Sequence, residues 1–192
     1  METIDGYSYS YITGTITGYL RSIHSQFYRQ SKFEVRMFSL GVIMYDKNGA
    51  VEKLKEKASA VMELDFESPT PDLFTLKKYM LFNHFNHFIK IKNETNLRKY
   101  HYFQFLDHIF KAYSFYIGFE IPTIEKLDRI LFDKTYRSKN NFTAFPDKTF
   151  FKLWEEAVNV EEKYFTETVK QLYEHLEGCW GKFDADDFKA II

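Results

Sequence analysis

"ESPTPD", residues 67–72, is the segment that divides this chain. It holds two of the four prolines, and proline ends regular structure because it fixes φ and removes a backbone donor. After it the pattern turns strongly helical, with Asp72 as a suitable N-cap. Before it, helix patterns mix with short apolar runs. The sequence therefore predicts a mainly α protein, with a helical bundle over residues 67–192 and a small N-terminal α+β piece over residues 1–66.

The part after the prolines carries five predicted helices, because its apolar residues recur at three- and four-residue spacing. Gly118 and Gly178 are typical of helix C-terminal ends, and Pro122 and Pro146 stand just ahead of new helix starts. The polar segment 133–145 predicts a loop. The predicted helices span residues 72–92, 95–117, 123–133, 148–158 and 160–177.

The part before the prolines contains two strand patterns and two helix patterns. Asp5-Gly6 is typical of a type I′ hairpin turn, and the alternation after it predicts a strand over residues 7–12. A short apolar run closed by a turn cluster predicts a second strand over residues 41–45. One helix is predicted over residues 15–30, and apolar residues from Val51 to Val61 share one face of another.

The composition is that of a folded protein with balanced charge. The chain has 192 residues, of which 45% are hydrophobic and 19% aromatic, so a large core is expected. With 26 basic and 27 acidic residues the net charge is −1, and no nucleic-acid partner is expected. No apolar run reaches the roughly 18–20 residues of a membrane span, and no secretory-signal pattern is present. The sequence therefore predicts a cytoplasmic protein with no membrane partner.

Four histidines raise the question of a metal site. His84 and His87 lie three residues apart on the first bundle helix, and His101 and His108 lie seven apart on the next. On helical wheels His84 falls within the apolar face, whereas His101 and His108 fall nearer a polar stripe, so the two pairs are expected to point in different directions. This predicts that His84 is a core residue and that these histidines bind no metal. The alternative is a metal-dependent helical-bundle enzyme in which all four are ligands.

Other candidates for chemistry are weaker. Asp184 and Asp186 are expected to belong to a solvated acidic tail. The single cysteine, Cys179, excludes an intrachain disulfide, and His175 lies four residues before it. Because Gly178 is predicted to end that helix, no thiol nucleophile is expected. No phosphate-binding glycine loop or nucleophile motif is present, so the sequence predicts no catalytic residue and identifies no substrate-binding residue.

The segment "KFEVRMFSLGVIMYDKNGAVEKLKEKA", residues 32–58, resembles bacterial nucleotidyltransferases of the kanamycin-nucleotidyltransferase kind. The resemblance implies that the chain corresponds to the C-terminal part of such a protein, without its Gly-Ser turn and D-x-D acid pair. By position, Glu2 or Asp5 would correspond to the family's third carboxylate. The matching positions are Gly41, Val42, Ile43, Tyr45, Asp46, Gly49, Leu54 and Ala58.

The resemblance implies a nucleotidyltransferase-related substrate-binding or assembly module that is catalytically incomplete on its own. It implies no cofactor, with magnesium nucleotide bound only if a separate catalytic half is supplied. The expected partners are that half or a second copy of the chain, joined through the open edge of strand 7–12 or through the bundle. The sequence does not indicate a helical ribonuclease of the HEPN type. Its Arg-to-His spacing is absent, since Arg21–His24 is too close and Arg98–His108 too far.

Overall fold

The computed structural model describes residues 2–4, 7–9, 14–91, 97–121 and 123–184. Over these residues the protein is mainly helical. The chain forms two compact units, residues 1–65 and 66–192. Among the helices that the structure describes, none is long and apolar enough to span a membrane.

Three helices build the first unit over the described residues 14–65. The first begins as the sequence predicts, because the Thr15 hydroxyl accepts a hydrogen bond from the Gly18 amide at 3.0 Å. Two three-residue strands, β1 (Glu2–Ile4) and β2 (Tyr7–Tyr9), pair in antiparallel register. The helices are α1 (Ile16–Tyr28), α2 (Phe33–Leu40) and α3 (Ala50–Met62). Their shared core consists of Ile23, Val35, Leu54, Ala58 and Met62.

The predicted strand over residues 41–45 is wrong, and the small α+β piece is not supported, because within the described chain the two short strands β1 and β2 pair only with each other. Residues 41–49 have no regular structure between α2 and α3. Val42 is 84% exposed and Met44 91% exposed, and no described strand pairs with them. A lone strand leaves its backbone groups unpaired, so an apolar run alone does not make one. Instead the Asp46 carboxylate accepts hydrogen bonds from the amides of Ala50 and Glu52 and starts α3.

The second unit contains six α-helices over its described residues. Four of them match predicted helices to within three residues at each end, and the fifth, predicted over residues 160–177, spans Phe165–Trp180. The first begins one residue earlier than expected, because Thr70 rather than Asp72 is the N-cap and Pro71 takes the first helical position. The helices are α4 (Pro71–Lys90), α5 (Arg98–Tyr116), α6 (Ile124–Phe132), α7 (Lys134–Asn140), α8 (Lys148–Val158) and α9 (Phe165–Trp180), with a 3₁₀ turn at Glu162–Tyr164.

Helix α7 lies where the sequence predicts a loop. Its residues are polar and show no apolar period, so capping rather than burial defines it. The Asp133 carboxylate accepts a hydrogen bond from the Tyr136 amide at 2.9 Å, and Asn141 ends the helix in the left-handed region at φ +55°. The Arg137 guanidinium donates to the carbonyl of Ile130 at 3.0 Å, which ties α7 to the end of α6.

The predicted helix end at Gly178 is also wrong, because α9 continues to Trp180 and ends at Gly181. Gly181 has φ +78° and ψ 155°, a conformation that is essentially restricted to glycine. A glycine inside a helix costs only about 1 kcal/mol relative to alanine, which the buried apolar face of α9 outweighs. Cys179 therefore lies on the last turn of α9.

Helix α5 is at the centre of the second unit and packs against α4, α8 and α9. The Tyr102 ring stacks on Phe165 with centroids 3.6 Å apart, and its hydroxyl donates to the carbonyl of Ala157 at 2.7 Å. Burial raises the pKa of Tyr102 above its usual value. The Trp154 indole donates to the carbonyl of Leu106 at 3.1 Å. These contacts fix α8 and α9 against α5.

Candidate metal site

Side chains from three parts of the second unit converge beside the last turn of α9. The Oδ2 atom of Asp147 lies 2.5 Å from the Tyr113 hydroxyl and 3.2 Å from His175 Nε2. Cys179 Sγ lies 3.7 Å from His175 Nε2 and 3.5 Å from the Tyr113 hydroxyl. Asp147, His175 and Cys179 thus each present one potential metal-ligand atom, and all three atoms lie within 4.8 Å of one another.

Each of these side chains is held by its helix. Asp147 is the N-cap of α8, and its Oδ1 atom accepts hydrogen bonds from the amides of Thr149 and Phe150, which leaves Oδ2 directed at the site. His175 and Cys179 lie four residues apart, so they share one face of α9 because the helix continues through Gly178. The site is partly accessible, since Cys179 is exposed whereas the side chains of His175 and Asp147 are 19% and 24% exposed.

Electrostatics favour an ionised carboxylate at the site. Burial raises the pKa of Asp147, but hydrogen bonds from Tyr113, the Phe150 amide and His175 outweigh it, and the pKa lies below its usual value. Burial and the adjacent carboxylate raise the pKa of Tyr113, so its hydroxyl stays protonated and donates. Asp147 therefore presents a negative charge to His175 Nε2. Either a proton on that nitrogen or a cation bound between the two groups makes this contact favourable.

Two of the three ligand separations suit a tetrahedral zinc-type ion, and the third, between Asp147 and Cys179, is within 4.8 Å. From typical zinc bond lengths, neighbouring nitrogen and oxygen ligands lie about 3.4 Å apart and sulfur and nitrogen ligands about 3.6 Å apart. The corresponding distances here are 3.2 Å between His175 and Asp147 and 3.7 Å between Cys179 and His175. The arrangement is not that of a thiol protease, in which the carboxylate and the nucleophile use opposite ring nitrogens. Here both approach Nε2 of the same imidazole.

The four histidines predicted to diverge come together in pairs instead. The rings of His84 and His108 have centroids 4.0 Å apart, and those of His87 and His101 lie 5.1 Å apart. The helical-wheel argument was wrong because a wheel drawn for one helix does not show how its neighbour faces it. Helices α4 and α5 bring buried aromatic residues, such as Phe88 and Tyr102, into contact as well as their histidines. Burial and then the His87 charge lower the pKa of His84, which is half-buried.

The two histidine pairs do not form the four-ligand site of the alternative hypothesis. Among the residues that the structure describes, the one group of three or more metal-ligating side chains is Asp147, His175 and Cys179. The remaining candidates add nothing to it. Glu2 lies in β1, and Asp5 and Asp186 fall outside the described residues.

No protein-family model, curated protein or solved structure matches the chain. The resemblance to nucleotidyltransferases and the substrate-binding or assembly function that it implies therefore stay predictions, as do the homodimer and the separate catalytic half. The segment that carries the resemblance, residues 32–58, forms α2, an irregular stretch and α3, with no strand between the helices.

Two features of this site could be predicted from the sequence. His175 and Cys179 have the four-residue spacing of neighbours on a helix, and Asp147 directly precedes a predicted helix as a good N-cap. Two other features could not be predicted from local sequence patterns. Continuation of α9 past Gly178 depends on tertiary burial, and the approach of Asp147 to α9 depends on how α8 packs.

Proposed function

We propose that the second unit binds a zinc-type divalent ion through Asp147 Oδ2, His175 Nε2 and Cys179 Sγ. The observation that carries the proposal is the convergence of these three unlike ligand atoms within 4.8 Å on two packed helices. Thiolate, imidazole and carboxylate are the ligand types that zinc takes in proteins. A water molecule supplies the fourth position, while the protonated Tyr113 hydroxyl donates to Asp147 Oδ2 and orients that ligand.

The exposure of Cys179 indicates an accessible site. Sites with three protein ligands and one exchangeable position are typical of ions that act as Lewis acids, whereas four protein ligands are typical of structural zinc. The function that we propose is therefore metal binding with an exchangeable position. The chain's own contribution is to hold Asp147 ionised and the His175 ring oriented toward it.

The test is metal titration of protein first freed of metal with a chelator and then exchanged into chelator-free buffer. We expect one Zn²⁺ per chain at pH 7, measured in competition with a chromophoric chelator. Co²⁺ in its place should give a thiolate-to-cobalt absorption band, which requires a direct bond to Cys179. Cys179→Ser should abolish that band and weaken Zn²⁺ binding at least about 100-fold, since even indirect partners of a metal are worth 10–100-fold.

The matched control is His87→Gln, which changes an exposed histidine of the same unit that lies away from the site and beside His101. Its metal affinity should equal that of the unaltered protein. If no Zn²⁺ binds at micromolar concentration, or if Cys179→Ser binds as tightly as the unaltered protein, the proposal fails. The contacts of Asp147 would then be a hydrogen-bond network that only joins α5, α8 and α9.

A further inference from the structure

A cavity lies between α4 and α5, and the side chains that line it are different from those of the proposed metal site. Its volume is about 230 Å³. Leu81, Ala112 and Phe115 give it an apolar wall, and Leu81 belongs to the buried core of the unit. Two lysines and two histidines line the rest of it, namely Lys77, Lys111, His84 and His108.

The polar side of this cavity contains an unsatisfied group. The Nδ1 atom of His108 is enclosed and has no hydrogen-bond partner among the described residues. The nearest ring is that of His84, whose centroid lies 4.0 Å away in an edge-to-face arrangement. A buried polar atom without a partner costs roughly 1–3 kcal/mol, so native proteins leave few of them. Because this nitrogen is enclosed, a molecule in the cavity does not reach it directly, and the polar contacts of the cavity come from its lysines.

The charge of the cavity is positive and comes from lysines. Burial and then the charge of His84 lower the pKa of His108, so its ring is neutral at neutral pH. The Lys77 ammonium lies over the Phe115 ring, 5.3 Å from its centroid. The Lys111 ammonium donates to Asp107 at 2.6 Å and, with three protons, has further donors to offer. The cavity thus places two ammonium groups, one of them paired with Asp107, beside an apolar wall.

We propose that this cavity binds a small carboxylate that carries one apolar ring. The carboxylate would accept hydrogen bonds from the ammonium groups of Lys77 and Lys111, and the ring would contact Leu81 and Phe115. The size agrees, because an apolar cavity of about 150 Å³ holds benzene and the additional volume here accommodates a carboxylate. The site is independent of the proposed metal site, with which it shares no residue.

The experiment is calorimetric titration of the full chain with benzoate, in buffer containing a chelator so that metal binding does not contribute. We expect benzoate to bind with about millimolar affinity, as a ligand of this size can. Benzyl alcohol, which has the ring without the charge, should bind at least about tenfold more weakly. In parallel, NMR should show that benzoate shifts the ring-proton resonances of His108.

Two variants and one control locate the binding. Lys77→Gln should weaken benzoate binding about tenfold, and Ala112→Leu, which fills the cavity, should abolish it. Lys152→Gln removes an exposed lysine of α8 outside the cavity and should change nothing. The proposal is overturned if benzoate does not bind, if benzyl alcohol binds as tightly, or if Lys77→Gln and Lys152→Gln have the same effect.

Discussion

Asp147 offers a quantitative test of the structure, because one carboxylate joins three helices. Its Oδ1 atom caps α8 through the amides of Thr149 and Phe150. Its Oδ2 atom accepts from the Tyr113 hydroxyl on α5 and lies 3.2 Å from His175 Nε2 on α9. Asp147→Ala removes all of these contacts, whereas Asp147→Asn keeps an oxygen that can cap the helix but removes the charge.

The expected loss of stability in Asp147→Ala is the sum of the contributions of the contacts that it removes. Loss of an N-cap side chain costs about 1 kcal/mol. Tyr113 is 3% exposed, and its hydroxyl would lose its carboxylate acceptor and keep only the weaker contact with Cys179, which adds roughly 1–2 kcal/mol. We therefore expect Asp147→Ala to lower the free energy of unfolding of metal-free protein by about 2–3 kcal/mol. Asp147→Asn should lower it by about 1 kcal/mol.

The assay is urea unfolding in the presence of a chelator, followed by tryptophan fluorescence. Both tryptophans of the chain, Trp154 and Trp180, lie in the second unit, so the signal reports that unit alone. Because the pKa of Asp147 is lowered in the folded state, its stabilisation is complete above the unfolded value of about 3.9. It is lost as the pH falls through the folded pKa, so the difference between the unaltered protein and Asp147→Asn should shrink in strong acid.

Two results would refute this reasoning. If Asp147→Ala unfolds within about 0.5 kcal/mol of the unaltered protein, the carboxylate does not join the helices, since surface substitutions typically fall within that range. If the Asp147→Asn difference is the same at neutral pH and in strong acid, the lowered pKa is absent.

Further substitutions test the core and the end of α9. Tyr102→Phe should destabilise by about 1 kcal/mol, because it keeps the ring stacking but removes the hydrogen bond from the Tyr102 hydroxyl to the Ala157 carbonyl. Tyr100→Phe, at a residue 61% exposed, should have no effect on urea unfolding. Gly178→Ala should stabilise by about 0.5–1 kcal/mol, because Gly178 lies inside the helix and the new methyl group meets nothing within 4 Å. Gly181→Ala should destabilise by about 1–3 kcal/mol, because Gly181 has a conformation that is essentially restricted to glycine. The midpoint of thermal unfolding should therefore rise for the first variant and fall for the second. Equal shifts for the two glycines would show that α9 does not end at Gly181.

The proposed metal site shows most clearly which features the local sequence determines and which depend on tertiary structure. The spacing of His175 and Cys179 and the N-cap position of Asp147 are local and could be read directly. Local pattern also suggested that Gly178 ends the helix, which separated His175 from Cys179 and removed the thiol from consideration. The side chains meet only because α8 and α9 pack together, and no spacing in the chain records that contact.

The sequence by itself determined the mainly helical class, the break at residues 67–72 and the main helices of the second unit, because apolar period and prolines act over a few residues. Tertiary structure decided the rest. Residues 41–45 had the composition of a strand and no partner strand in the described chain, and α7 formed through caps without an apolar face. The histidines of α4 and α5 met because the two helices pack against each other, and a wheel drawn for one helix does not show which neighbour it faces.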